Sequence, residues 1–232
     1  MPPAPTNANP PLRAVYRTLL GHFGPQHWWP GRTRFEVMVG AILTQNTAWT
    51  NVEKAIARLR NARLLHPVRL HATPHARLAE LIRPAGYFNV KATRLHAFTT
   101  LLVRDFGGSL DRLFRLPTPE LRKRLLDVRG IGPETADSML LYAAKRPVFV
   151  VDAYTRRLME RHGWLAPTAT YDEVASIFTR MVPASVPVYN EYHALLVALG
   201  KRYCRPTPRC VECPLRKWLP RRVKKGTADG RG

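Results

Sequence analysis

The sequence predicts an all-α protein, and three observations carry that expectation. Helical spacing recurs: Val52, Ala55, Ile56 and Leu59 fall at i, i+3, i+4 and i+7, the pattern of one helix face. Ala136, Met139, Leu140 and Ala143 repeat it, and Val188, Tyr192, Leu195, Leu196 and Leu199 form a third row. The breaks between such stretches are short and built on glycine and proline: Gly24-Pro25, Pro84-Ala85-Gly86, Gly107-Gly108 and Pro117-Thr118-Pro119. The one strong β-branched run, Val148-Phe149-Val150-Val151, is short and without an obvious partner, so it reads as an extended connector and not as a strand. About ten helices are expected.

Along the chain, residues 1–11 hold five prolines and no apolar period, and read as a disordered arm. Helical patterns dominate from Leu12 onward. Beyond Pro214 the chain carries Arg216, Lys217, Arg221, Arg222, Lys224 and Lys225, either a solvated end or a phosphate-binding arm, and 226–232 reads as a disordered tail. The opening MPPAPTNANPP has no basic segment followed by an apolar one, so it does not read as a secretory signal. No run of about 18 apolar residues is present, which argues against a membrane span. A cytoplasmic location is expected.

The 232 residues carry 37 Lys+Arg against 16 Asp+Glu, a formal charge of +21. A folded chain this basic repels itself unless an anion is its usual partner. The charge is spread along the chain and no basic amphipathic membrane helix stands out, so nucleic acid is favoured over a membrane surface. Hydrophobic residues make up 45%, which excludes a disordered basic tail. The three cysteines, all between 204 and 213, are too few and too close to read as a disulfide framework.

The most informative stretch is Leu121 to Tyr142. A helical pattern runs into Val128-Arg129-Gly130-Ile131-Gly132, and a second helix begins at Pro133, where the missing N–H costs nothing. The glycines permit a tight turn and close backbone approach to a ligand, while Ile131 can plug the space between the helices. The second helix offers free N–H groups and a positive dipole end beside them. This is a helix-hairpin-helix that grips a DNA backbone without reading sequence, through Arg129, Gly130, Ile131 and Gly132. About twenty residues after the hairpin, Asp152 follows the apolar run and precedes another helix, the position of an N-cap.

A hairpin with G-I-G, a second helix, then V-D before a further helix resembles the helix-hairpin-helix DNA glycosylases, relatives of endonuclease III. The likeness runs from about Leu12 to Leu219. It implies that Asp152 is the catalytic carboxylate. Bifunctional members carry a lysine two residues after the second hairpin glycine, which attacks the sugar and forms a Schiff base. Here Glu134 stands there, and a carboxylate cannot form an imine. A monofunctional glycosylase with absent or weak lyase activity is expected, Asp152 activating water or stabilising oxocarbenium-like charge, with Glu134 a further catalytic candidate.

His27-Trp28-Trp29-Pro30 and Leu43-Thr44-Gln45-Asn46-Thr47-Ala48-Trp49 resemble the bacterial 3-methyladenine glycosylase branch, where aromatics sandwich the flipped base. The resemblance implies a base pocket of Trp28, Trp29, Pro30 and Trp49, and makes Gln45 or Asn46 the wedge that fills the gap left by the base. Asp152 and Lys201 fall in matching local contexts.

The run Cys204-x5-Cys210-x2-Cys213 follows a long helix, and thiolates this close suit a metal. It resembles the endonuclease III iron–sulfur loop, which has a longer first interval and a fourth cysteine where this chain has Leu219. The resemblance implies a [4Fe–4S] cluster with an unidentified non-cysteine fourth ligand, or a [3Fe–4S] form, with zinc less favoured. The loop would press Arg202, Arg205 and Arg209 against phosphates, with Lys201 beside it.

The resemblance further implies two helical domains: 32–147 ending in the hairpin, and 12–31 with 148–225 carrying Asp152 and the metal loop, the pocket lying in the cleft. The expected function is excision of damaged, alkylated purine bases from double-stranded DNA by a nucleoid-associated monomer. The alternatives are removal of oxidised pyrimidines, or a non-catalytic DNA-binding protein.

Overall fold

The computed structural model describes residues 10–28 and 31–220. Most of the expected N-terminal arm, the tail over 226–232, and Trp29 and Pro30 lie outside the described residues. Those residues form helices joined by short connectors, with no strand among them. The chain divides into two compact units, one drawn from Met1–Trp28 and Pro147–Gly232 and the other from Trp29–Arg146.

In the second unit α2 (Arg34–Leu43) is the central helix: every residue from Phe35 to Leu43 is buried. Thr33 caps it, accepting from the Glu36 N–H at 3.1 Å. Buried Glu36 is paired with Arg60 at 2.8 Å, which offsets the cost of taking a carboxylate out of water. Arg60 comes from α3 (Trp49–Asn61), whose buried residues are Val52, Ala55, Ile56 and Leu59, the row read from the sequence. Short helices α4 (Pro67–His71) and α5 (His75–Leu81) pack on the long α6 (Phe88–Phe106). Gly107 and Gly108 end α6 with φ of +59° and +75°, a left-handed turn that favours glycine. Next come α7 (Leu110–Phe114), α8 (Thr118–Leu126) and α9 (Pro133–Ser138). Arg122 on α8 holds Asp137 on α9 through both carboxylate oxygens, at 2.8 and 3.2 Å, pinning the two arms of the hairpin together.

The sequence row Ala136, Met139, Leu140 and Ala143 is entirely buried, but the helix does not stay regular. It widens to a π-helical turn over Met139–Ala143, and every residue there is buried. A one-face pattern describes a surface helix; this segment is surrounded on all sides.

Lys91, 1% exposed, is the second unit's internal clamp. Its Nζ donates to the Leu43 carbonyl at 2.8 Å, the Thr47 hydroxyl at 2.5 Å and the Ala85 carbonyl at 2.7 Å. It therefore ties the end of α2 and the loop after it to the turn before α6. Lys91→Met strands these acceptors and is expected to cost about 1–3 kcal/mol for each one left unsatisfied, measured by urea unfolding. Burial, and then the charge of Arg94, lowers the Lys91 amine from the usual 10.5 to about 8. Between those values the unfolded chain binds more protons than the folded one. The parent's stability relative to Lys91→Met should therefore rise with pH from about 8 to 10.5 and fall back as pH drops through 8.

The first unit is built from α1 (Leu12–Phe23), α10 (Ala153–Arg161), α11 (Tyr171–Met181) and α12 (Val186–Arg202). Residues 148–151 are an extended connector, as the sequence reads, and drive Phe149 into the core. There the Phe149 ring stacks on Phe178 at 4.0 Å and meets Tyr189 and Tyr192 edge-on. Thr170 and Glu173 close a reciprocal capping box at the start of α11. The centre of α12, Tyr192 to Val197, is buried without a break. At Gly200 a Cβ would lie 2.2 Å from Tyr154 Cδ1, so only glycine lets α12 approach the first turn of α10 this closely.

Candidate active site and nucleic-acid interface

The hairpin loop exposes Arg129, Gly130, Gly132 and Glu134 around a buried Ile131. Gly130 has φ +90°, and a Cβ there would lie 2.4 Å from Arg94 Cγ. The turn needs glycine both for its backbone angle and for the arginine stem that crosses it. Gly132 is extended and caps α9, with Pro133 at the first helical position.

Gln45 and Asn46 have different fates. Gln45 Nε2 donates to the Gly130 carbonyl at 3.0 Å and to Thr135 Oγ1 at 2.9 Å, and its Oε1 accepts from Arg94. That side chain is docked on the hairpin. Asn46 is exposed, with φ +52°, a left-handed angle that asparagine tolerates better than most residues. The sequence reading missed Tyr87. It is 72% exposed, with φ +46°, at the head of α6. Thr47 Oγ1 donates to the Ala85 carbonyl at 2.6 Å, joining the Asn46 loop to the Tyr87 turn. A large apolar side chain held outward in a strained backbone state marks a contact surface. The adjacent pair Tyr87-Phe88 after Gly86 was a readable signal, by the same logic as Trp28-Trp29.

In the first unit Asp152 stands at the N-cap of α10, as its sequence context predicts. Its Oδ1 accepts from the Thr155 N–H at 2.7 Å and the Thr155 hydroxyl at 2.8 Å. Its Oδ2 faces His193 Nε2 at 3.4 Å, and both side chains are buried. Burial pushes this carboxyl up, but the hydrogen bond and charge of His193, with the Thr155 bonds, outweigh it and hold the carboxyl below its usual range. His193 sits on a separate helix far along the chain, and no local spacing announces the pairing.

Trp28 is half-buried, with the Lys201 ammonium 5.9 Å from its ring centroid. Trp49 lines a cavity of about 240 Å³ with Glu36, Glu53 and Arg60, and its indole N–H donates to Glu53 Oε1 at 2.9 Å.

The cysteine loop is held by arginines. Arg161 donates to Cys204 Sγ at 3.3 Å and to the Arg205 and Pro206 carbonyls, and Arg157 donates to the Cys204 carbonyl at 2.7 Å. Arg205 itself points to solvent. Burial pushes the Cys213 thiol up to about 11, and Cys204 and Cys210 add to the rise. Leu219, at the fourth position, is buried and apolar. Among the described residues no three His, Cys, Asp or Glu side chains already stand in a metal-binding arrangement. The loop offers three free cysteines and no fourth. No helix among the described residues is long and apolar enough to cross a membrane.

Comparison with known proteins gives a consistent result. Residues 39–184 match the family model of the HhH-GPD superfamily base excision DNA repair protein. A protein of Methanocaldococcus jannaschii named as a DNA repair glycosylase is 46% identical over 205 residues, covering 88% of this chain and 93% of that one. The fold matches an endonuclease III–DNA covalent intermediate with a TM-score of 0.80 at 22% identity, over 94% of this chain and 99% of the other. It also matches the H. pylori 3-methyladenine DNA glycosylase bound to 1,N6-ethenoadenine, with a TM-score of 0.70 at 30% identity, over 82% of this chain and 95% of that one.

Proposed function

The chain belongs to the HhH-GPD superfamily of base excision DNA repair proteins, and on that premise we propose that it is a monofunctional glycosylase removing alkylated purines from duplex DNA. The observation that carries the choice of substrate is the setting of Trp49: an indole beside a cavity, its N–H anchored on the Glu53 carboxylate. While attached to the sugar, N3-methylated adenine and N7-methylated guanine are flat cations. A cation over an indole face gains about 0.5–2 kcal/mol, and a carboxylate on the ring N–H enriches that face. The likeness to the 3-methyladenine DNA glycosylase, at 30% identity, supports a damaged purine as the substrate.

Alkylation has already weakened the glycosidic bond, so strong acid catalysis is not needed. Asp152 supplies the negative charge that stabilises the developing oxocarbenium ion and orients the attacking water. Trp28, Trp29, Pro30 and Trp49 supply faces for the flipped base. Gly130–Gly132, with Arg129, Lys201 and Arg205, hold phosphates. Gln45 or Asn46, with Tyr87, fills the gap where the base has left. Glu134 is a solvated first-turn residue favoured by the helix dipole. Cys204, Cys210 and Cys213 would hold an iron–sulfur cluster with a non-cysteine fourth ligand. Its contribution is to shape the basic loop, and zinc on the same thiols is the rival occupant.

Single-lesion duplexes test this. Release of 3-methyladenine or 7-methylguanine is expected, with thymine glycol and dihydrouracil left in place. Release of the oxidised pyrimidines alone would overturn the substrate assignment. Binding without release of any base would reduce the protein to a DNA-binding module.

A further inference from the structure

The carboxylate of Asp152 is held at two points, and only one of them is its own helix. Oδ1 is consumed by the cap, bonded to the Thr155 N–H and hydroxyl. That holds one oxygen and leaves Oδ2 without a bond from its own helix. The second point is His193 Nε2, at 3.4 Å from Oδ2, supplied by α12. We infer that His193 is a positioning residue for base release: its Nε2–H donates to Oδ2, fixes the carboxylate plane, and keeps Asp152 ionised in a water-poor site. The inference rests on the reading of Asp152 as the catalytic carboxylate.

The packing of α12 on α10 is what makes the pairing possible. Gly200 lies two helical turns after His193, on the same face of α12. Its missing side chain brings that face against Tyr154, two residues beyond Asp152. Tyr189, Leu196 and Val197, one turn to either side on this face, are buried, so His193 has little freedom to swing away. A buried imidazole in such a place could serve packing alone. Three features argue for more. Its nitrogen is directed at the one carboxylate oxygen the cap does not use. The Oδ1 contacts would satisfy the helix end without it. And an oxocarbenium ion is stabilised by a carboxylate only when that group is ionised and aimed before the charge develops. A distance of 3.4 Å is long for a hydrogen bond, and such bonds commonly tighten when substrate is bound.

Single-turnover base release and DNA affinity, measured side by side, separate positioning from packing. His193→Leu is expected to slow release about 10- to 100-fold, the loss of one hydrogen bond to a charged group, with Kd for damaged duplex unchanged within about twofold. His193→Gln, which keeps a donor, should restore most of that rate. In the unsubstituted protein, ¹⁵N NMR of the imidazole should show the proton on Nε2, a reading independent of how the variants fold. Parental rate in His193→Leu, equal slowing in Leu and Gln variants, or a proton on Nδ1 alone would each overturn the inference. Asp152→Asn run in parallel keeps the two readings apart. If it retains release, the assignment of Asp152 fails; if it loses release while His193→Leu does not, only the role of His193 fails.

Discussion

Asp152→Asn is expected to fold, bind damaged duplex with parental affinity, and release base about 10²–10⁴ times more slowly. Folding survives because asparagine caps a helix about as well as aspartate. Its side-chain oxygen can still accept from the Thr155 N–H and hydroxyl, which donate to Asp152 at 2.7 and 2.8 Å in the parent. What is removed is the charge, together with the Oδ2 acceptor that faces His193, in a buried position where charge acts strongly. Single-turnover release from methylated duplex measures the loss, and anisotropy of a labelled duplex checks binding. Parental release would end the reading of this residue as the catalyst. The same substitution has an acid-side signature. The folded carboxyl lies below its ordinary 3.8, so its ionised form contributes stability above that value and loses it as pH falls through the folded titration. Asp152→Asn should flatten the stability curve on the acid side.

The features that were legible in the sequence are local ones. Gly130, Ile131, Gly132 and Pro133 declare a hairpin because each residue type answers a backbone demand within four positions: a positive φ, a plug, an extended cap and a first helical turn. Asp152 declares a cap for the same reason. The helix face of α3 follows from period, since it packs one side, whereas α12 is buried all round at its centre and its row marks only part of what it buries. The residues that escaped are the ones whose partners are remote. His193 meets Asp152 only through the approach of α12 to α10. Lys91 looks like one basic residue among many, yet it is the most deeply buried charge in its unit. Gln45 reads as one of two wedge candidates, and its bonds to Gly130 and Thr135 join it to a segment remote in the chain. The +21 charge shows the opposite limit. It speaks for a polyanion and for salt-dependent, sequence-blind affinity, but says nothing of which base is removed.

Borohydride is expected to trap no covalent adduct between this protein and damaged duplex. Trapping requires an imine between a neutral amine and the sugar carbon, reduced before it hydrolyses. The side chain at the place where the lyase lysine of the resembling enzymes stands is Glu134, in the first turn of α9. It has two oxygens and no amine. Neither Asp152 nor His193 can substitute, since a carboxylate forms only a hydrolysable ester and an imidazole a labile adduct. The reaction must then end with a free base and an intact strand carrying an abasic site. Gel analysis after base release, without alkali, should show full-length strand. Glu134→Lys restores an amine two residues after Gly132, on the exposed side of the hairpin, at a helix start where a cation is disfavoured and its neutral form correspondingly easier to reach. That variant is expected to give a borohydride-trapped species and a measurable nick where the parent gives neither. An adduct with the parent protein would refute the monofunctional assignment, and a search of the remaining lysines would then identify the nucleophile.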